Sequence, residues 1–333
     1  MDFSKFVSKY LAPVKFSPSE IEFLRQLRFA GGRYTEFAKI VQQNKEVEEN
    51  LLTVANTVFA KRLKEPILSA AVALSMIGFL SSRNFLAACM VRRGDKSLTP
   101  DNPAVAKTLL YALQGEGIYG LENPVSPDYY VAGVVYDIAL SLITENCSSA
   151  IRSERISFAQ EVWRHGVQVA SVACNIARNL LPDNTLDKDL VFDGVLHNIG
   201  KLLLYGELPI AELDAFKKNK TLPDTLWLSE ADEHGLPHDV LGHFFLWNLG
   251  FLSDSSWVVM YHHQPFLASR LGATTHLRAT LIWLADHLIC NREFHHKPRP
   301  SDQLLNNWYE ASKGIFGNCT KDEFINALLG VGF

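Results

Sequence analysis

The sequence predicts an all-α protein, in two helical lobes. The dominant apolar period is helical, runs of strict polar–apolar alternation are scarce, and the composition (47% hydrophobic, 20% charged) is that of a globular chain with enough apolar material for a large core. Near the start, "SPSEIEFLRQLRFA" opens on serine and proline with Glu20 just behind, a helix N-terminus. "YTEFAKIVQQNKEVEENLLTVANTVFA" (34–60) holds at least two helices with a break near Asn44, and "PILSAAVALSMIGFLSSRNFLAACMVRR" reads as helix, interruption at Gly78, helix. Residues 94–128 collect Gly, Pro, Asn and Asp around one short helix and read as an irregular connector. From about Tyr129 the chain is more uniformly helical. "KPRPSD" (297–302) is a linker, and the last thirty or so residues should form two short helices packed on the body. The expected partition is 1–128, an N-terminal lobe with its connector from 94; 129–296, a second helical lobe; and 297–333, a C-terminal extension.

Charge narrows the function classes. A net charge of -4 gives no electrostatic reason to expect nucleic acid or an anionic membrane as partner, and the basic clusters "AKRLK" (60–64) and "MVRR" (90–93) are short enough to be solvated helix faces. Five cysteines form no C-x-x-C pair, and Cys89, Cys174 and Cys290 lie in apolar helical contexts, which suits free thiols in a reducing compartment. The N-terminus lacks the apolar segment of a signal peptide, and the longest apolar stretch, "ILSAAVALSMIGFL" (67–80), is too short to span a bilayer. The expectation is a cytoplasmic protein with no membrane insertion.

The second lobe concentrates polar groups where a core should be. Around "FDGVLHNIGKLLLY" (192–205), read as one helix, Val191, Phe192, Val195, Leu196, Ile199, Leu202 and Leu203 form an apolar stripe. Asp193, His197 and Lys201 fall opposite, Asn198 at the edge, and Leu204 beside the polar row partly encloses it. "LIWLADHLIC" (281–290) is apolar nearly all round, so Asp286 inside it needs a cation, a strong donor or a metal. His165, His238, His262 and His263 occupy helices or element ends in the same lobe. Each taken alone fits a satisfied core or capping residue, and His197 could pair with Asp286 while Asn198 satisfies neighbouring groups.

The order His165, His197-Asn198, His238, His262-His263, Asp286 resembles the HD phosphohydrolase superfamily, and more closely its regulatory bacterial relative, the HDOD domain. The likeness runs from about Pro13 to Asn291 and rests on "LLTVANTVFA", "PILSAAVALSMIG", "WRHGVQVASVACNIAR", "GVLHNIGKLLLY", "EADEHGLPHDVLGHFFLWNLG" and "VVMYHHQP". The resemblance implies a first metal set at His165, His197, Asn198 and Asp286. Likeness to the HD-GYP phosphodiesterases, which hydrolyse cyclic di-GMP, implies a second at His238, His262 and His263. Lys201 stands at the lysine of H-D-x-G-K. The chain departs twice: the motif aspartate is Asn198, and "HHQPF" lacks Gly-Tyr-Pro.

Asparagine offers a metal one neutral carbonyl oxygen where aspartate would offer a bridging anion. Two imidazoles and a carboxylate still suffice for one divalent transition ion, zinc, iron, manganese or nickel, although the sequence demands no cofactor. The expected function is therefore a non-enzymatic signalling or regulatory protein that binds other proteins. The alternatives are a metal-dependent phosphohydrolase acting on a cyclic dinucleotide or nucleotide, with Lys201 assisting, and a nucleotide sensor without turnover. Phosphate capture would call on Lys201, with Arg164 or Arg178 as further cations.

Overall fold

Among the described residues every regular element is helical and none is a strand, as the sequence period predicts. The computed structural model describes residues 34–59, 64–78, 127–144, 147–181, 186–206, 223–250, 253–295 and 299–331, with residues 21, 22, 24, 26, 82 and 208 besides. The expected connector from 94 and the helices predicted near 17–30 and 79–93 lie almost wholly outside them. Two compact units emerge: Val14–Ser148 with Leu249–Phe251, and Met1–Pro13 with Ser149–Asn248 and Leu252–Phe333.

In the first unit, α1 (Tyr34–Gln43) buries Phe37, Ala38, Ile40 and Val41, one face at helical spacing. It stops at Asn44, whose side-chain oxygen accepts from the Val47 N–H at 3.3 Å and starts α2 (Lys45–Phe59). The predicted break is therefore a capping event. Asn56 on α2 then grips the segment leading to α3 (Ala70–Ile77): its oxygen accepts from Ile67 N–H at 2.7 Å and its nitrogen donates to Ile67 O at 2.9 Å. α3 ends where expected, at Gly78, which adopts φ 86. α4 (Pro127–Thr144) has Val131, Ala132, Val134, Val135, Tyr136 and Ile138 all fully buried, so no single face of it is left to solvent along this stretch.

The second unit is built along α5 (Ser149–Leu180), 32 residues or about 48 Å of helix. α6 (Asp187–Leu196) lies against it through small residues: a Cβ on Gly166 would meet Val195 O at 2.5 Å, and one on Gly194 would meet Ala170 Cα at 2.4 Å. α7 (Ile199–Tyr205) follows α6 after a two-residue turn, and α8 (Pro223–His234) precedes α9 (His238–Asn248). α7 and α9 come as close as backbones can: a Cβ on Gly200 would sit 1.8 Å from His238 O. α10 (Ser253–Tyr261), a 3-10 turn (Pro265–Leu271) and α11 (Ala273–His295) complete the body.

The C-terminal residues form the two short helices expected, α12 (Asp302–Ser312) and α13 (Lys321–Leu329), and they pack on their own body. Leu305, Trp308, Phe316, Phe324 and Leu328 join one apolar cluster with Val169, Ala173, Leu281 and Leu288. Ser301 caps α12, and Thr320 with Glu323 forms a full capping box on α13.

One expectation is corrected. Residues 191–204 are not a single helix. α6 ends at Leu196, and Asn198 has φ -103 and ψ 14 before Lys201 N–H bonds Asn198 O to open α7. Nor does this stretch present a polar face: Asp193 and His197 are as fully buried as Leu196 and Leu204.

Candidate metal centre

The turn between α6 and α7 is where the site is built. His197 closes α6 with its Nδ1–H donated to Gly194 O at 2.7 Å, so its Nε2 carries a lone pair. That nitrogen is fully buried without a hydrogen-bond partner, as is the Oδ1 of Asn198. Burial pulls the His197 pKa down to about 3 against the opposing pull of Asp286, which keeps the ring neutral and able to bind a metal.

Among the described residues, two groups of potential ligands stand around His197. The first is His165 on α5, His197 itself and Asp286 on α11. His165 Nε2 lies 2.9 Å from Asp286 Oδ1 and His197 Nε2 lies 3.9 Å from the same oxygen. Burial would raise the Asp286 pKa, but the His165 hydrogen bond, the fields of His165 and His197, and Lys201 together hold it well below the usual carboxylate range. Cys290 also donates to Asp286 Oδ1, at 3.4 Å. The close pair is thus His165–Asp286, not His197–Asp286, and Asn198 leaves its oxygen unsatisfied where it was expected to pair.

The second group is His238 at the start of α9 with His262 and His263 just after α10. His238 Nε2 is 3.4 Å from His262 Nε2 and 3.2 Å from His263 Nε2. His262 donates Nδ1–H to Val259 O at 2.6 Å, so its Nε2 carries a lone pair, and His238 turns Nδ1 toward Glu230; with the proton on that Nδ1, both Nε2 atoms present lone pairs to each other. Two lone pairs make no hydrogen bond. Two imidazoles on one tetrahedral ion, with metal–nitrogen bonds of about 2.0–2.1 Å, place their nitrogens about 3.3–3.4 Å apart. The observed spacing fits a shared cation, and so does the depression of the His238 and His262 pKa values, chiefly by burial. The two groups adjoin through His197, whose ring centroid is 5.4 Å from that of His165 and 5.1 Å from that of His262.

Lys201, half-buried on α7, places its charge where it acts on His197, Glu230, His238 and Asp286. The other two cations named from the sequence, Arg164 and Arg178, are exposed, and Arg178 binds Asp187 at 2.8 Å and Asn175 at 3.1 Å on the outer surface.

Among the buried charged groups that sequence reasoning missed or placed on a polar face, two bear on the site. Asp193 accepts two 2.7 Å bonds from Arg278 on α11, which also reaches Ser255 on α10 at 3.0 Å, tying three helices one turn before His197. Glu230 on α8 is almost fully buried beside His238; its pKa is raised by burial, partly countered by Lys201 and Tyr205. The enclosing Leu204 signalled Asp193; nothing in "SEADEH" signals Glu230.

The ligands fit a divalent transition metal. His165, His197 and Asp286 would hold one ion and His238, His262 and His263 another, each ion supplying a Lewis acid for an anionic oxygen.

Three solved structures align with nearly the whole chain. An HDOD domain protein of unknown function from Geobacter sulfurreducens is 14% identical, covering 98% of this chain and 88% of its own, with a TM-score of 0.43. A protein of Shewanella amazonensis SB2B provisionally described as a phosphohydrolase is 12% identical, covering 98% and 93%, with a TM-score of 0.47. The MmoQ response regulator of Methylococcus capsulatus is 15% identical, covering 96% and 98%, with a TM-score of 0.34. No curated protein matches the chain significantly. Residues 132–265 match the HDOD domain family, and within them fall all five site histidines, Asn198 and Lys201, while Asp286 lies beyond. Across that span the chain is similar to an HDOD domain.

Proposed function

We propose that this chain is a metal-holding regulatory protein that acts by binding other proteins and does not hydrolyse phosphodiesters. The observation that carries the reading is Asn198. It follows His197, the ring where the two ligand groups meet, and offers there a buried, unpartnered amide oxygen in place of a carboxylate. A two-metal hydrolase needs an anion between its ions to offset their repulsion and to hold a hydroxide, and a neutral carbonyl does neither well. Single-ion occupancy suffers much less, because each group retains three side-chain ligands. A cytoplasmic setting fits the free thiols of Cys147, Cys174, Cys290 and Cys319, and among the described residues no helix is long and apolar enough to cross a membrane.

The completeness of the histidine set favours a second reading, a phosphohydrolase for cyclic dinucleotides or nucleotides. Metal analysis of tag-free protein purified without chelator, beside hydrolysis of bis(p-nitrophenyl) phosphate and cyclic di-GMP, separates the two. The proposal expects about one ion or more per chain, loss of ion in Asp286→Ala or His238→Ala, and no turnover above a metal-only blank. Turnover by the wild type that Asp286→Ala abolishes would overturn it.

A further inference from the structure

Glu230 is a carboxylate with almost no exposed surface, and all of its bonding goes to two residues. Tyr205 OH donates to Oε1 at 2.6 Å. The backbone N–H of His238 donates to Oε2 at 2.9 Å, and the ring Nδ1 of the same histidine meets that oxygen as well. Tyr205 is itself buried and lies edge-on to Phe158, ring centroids 6.3 Å apart. The acid on α8 is thus clamped between the end of α7 and the start of α9.

We infer that Glu230, locked by Tyr205, is the positioning residue that fixes the His238 tautomer, presenting Nε2 as a bare lone pair toward His262 and His263. This rests on the reading of His238, His262 and His263 as metal ligands. Three points carry it. With two donors already committed to the carboxylate, the remaining partner at Oε2 is the His238 ring, which completes the arrangement by donating Nδ1–H. The same residue receives both the backbone and the ring of His238, so position and rotation of the imidazole are set together. Finally, His262 takes its tautomer from the Val259 carbonyl, which no side-chain replacement removes, whereas His238 takes its own from a side chain. A carboxylate behind an imidazole also raises its basicity toward a cation.

The test uses the full-length chain labelled with 15N-histidine, stripped of metal, as wild type, Glu230→Ala, Glu230→Gln and Glu230→Asp. Nitrogen–proton correlation spectra report which ring nitrogen of His238 carries the proton, with the resonance assigned by its loss in His238→Ala. Co2+ titration followed by its visible bands gives affinity. Wild type should show the proton on Nδ1. Glu230→Ala should scatter His238 between tautomers and weaken Co2+ binding about 10- to 100-fold. Glu230→Gln keeps an accepting oxygen and should hold the tautomer with a loss under about 10-fold. Glu230→Asp keeps the charge but withdraws it by one methylene; it should behave like the alanine variant and covers the case in which alanine fails to fold. An unchanged tautomer and unchanged Co2+ affinity in both Glu230→Ala and Glu230→Asp would overturn the inference. Should the wild type bind no Co2+, the metal reading fails, and the His238 tautomer in the metal-free variants still decides the role of Glu230.

Discussion

Replacing Gly200 by alanine should be among the most damaging one-carbon changes available to this protein. On helix propensity alone the substitution should help, by up to about 1 kcal/mol. The packing reverses the sign. The added Cβ would lie 1.8 Å from His238 O and 2.6 Å from Gly242 N, against ordinary contacts of 3.4–4 Å. Both obstacles are backbone, so no rotamer change relieves them and α7 and α9 must separate by about 1.6 Å. Overpacking costs about 1–3 kcal/mol, and this clash belongs at the upper end or beyond. At about 2–4 °C per kcal/mol for a unit of this size, the melting temperature should fall by about 6–12 °C. His238 starts α9 and moves with it, whereas a site tolerates displacements of only about 0.5 Å, so Co2+ binding at His238, His262 and His263 should weaken too. Gly242→Ala is the internal control. Its Cβ first meets Val259 Cγ1 at 2.9 Å, a side-chain methyl that can yield, and its nearest backbone atom, Gly200 N, is at 3.2 Å, where a few tenths of an ångström suffice, so the cost should be about 1 kcal/mol. Thermal melts and Co2+ titrations of both variants decide the matter. A Gly200→Ala protein melting within about 2 °C of wild type would refute the reasoning.

Three further outcomes follow from the same structure. Arg278→Met leaves Asp193 buried and unpaired and should cost about 3–5 kcal/mol in urea unfolding, and the double variant Asp193→Leu/Arg278→Met should recover much of it. Phe324→Ala should cost about 3–5 kcal/mol, because the C-terminal extension is part of the core; a loss under 1 kcal/mol would mean that it is not. The pKa values of His197, His238, His243 and His262 are all lowered by burial, so below 6.5 the unfolded chain binds more protons than the folded one. Metal-free protein should therefore lose stability as pH falls through 6.5, at up to about 1.4 kcal/mol per pH unit for each histidine. His243→Gln should make that slope shallower; an unchanged slope would count against a buried neutral His243.

What could be read in the sequence was whatever depends on period or on order along the chain. The all-α class, the stop at Asn44, the burial of the helix around Asp286 and the two short C-terminal helices all follow from local pattern, and the structure has them. The candidate ligands came from the family resemblance that the order of the histidines, Asn198 and Asp286 carries. Where the sequence fell short, the deciding contact was long-range. The apolar period runs straight through His197 and Asn198, so nothing local marks the break there; the two helices must turn so that α6 can pack on α5 and α7 on α9. Asp193 read as one member of a polar row because its partner, Arg278, is 85 positions away. Glu230 sits in a run of acids and polar residues that pattern alone assigns to solvent. Its burial is visible only once His238 and Tyr205 are in place.

The bond between His165 and Asp286 spans 121 positions. Closing a flexible loop of that length costs about 4 kcal/mol of chain entropy before any contact compensates for it. The neighbouring α5–α6 pair, whose contacts at Ala170–Gly194 and Gly166–Val195 are closer in sequence, costs about 1 kcal/mol less to close, so that hairpin should form before α11 docks on it. Asp286 then arrives at a pocket whose other walls already stand. An ion held across that seam would form its bonds after the rate-limiting step and would have to release them before the chain could open. It would leave the folding rate nearly unchanged and slow unfolding, making the ion a clasp on the finished fold rather than a seed for it.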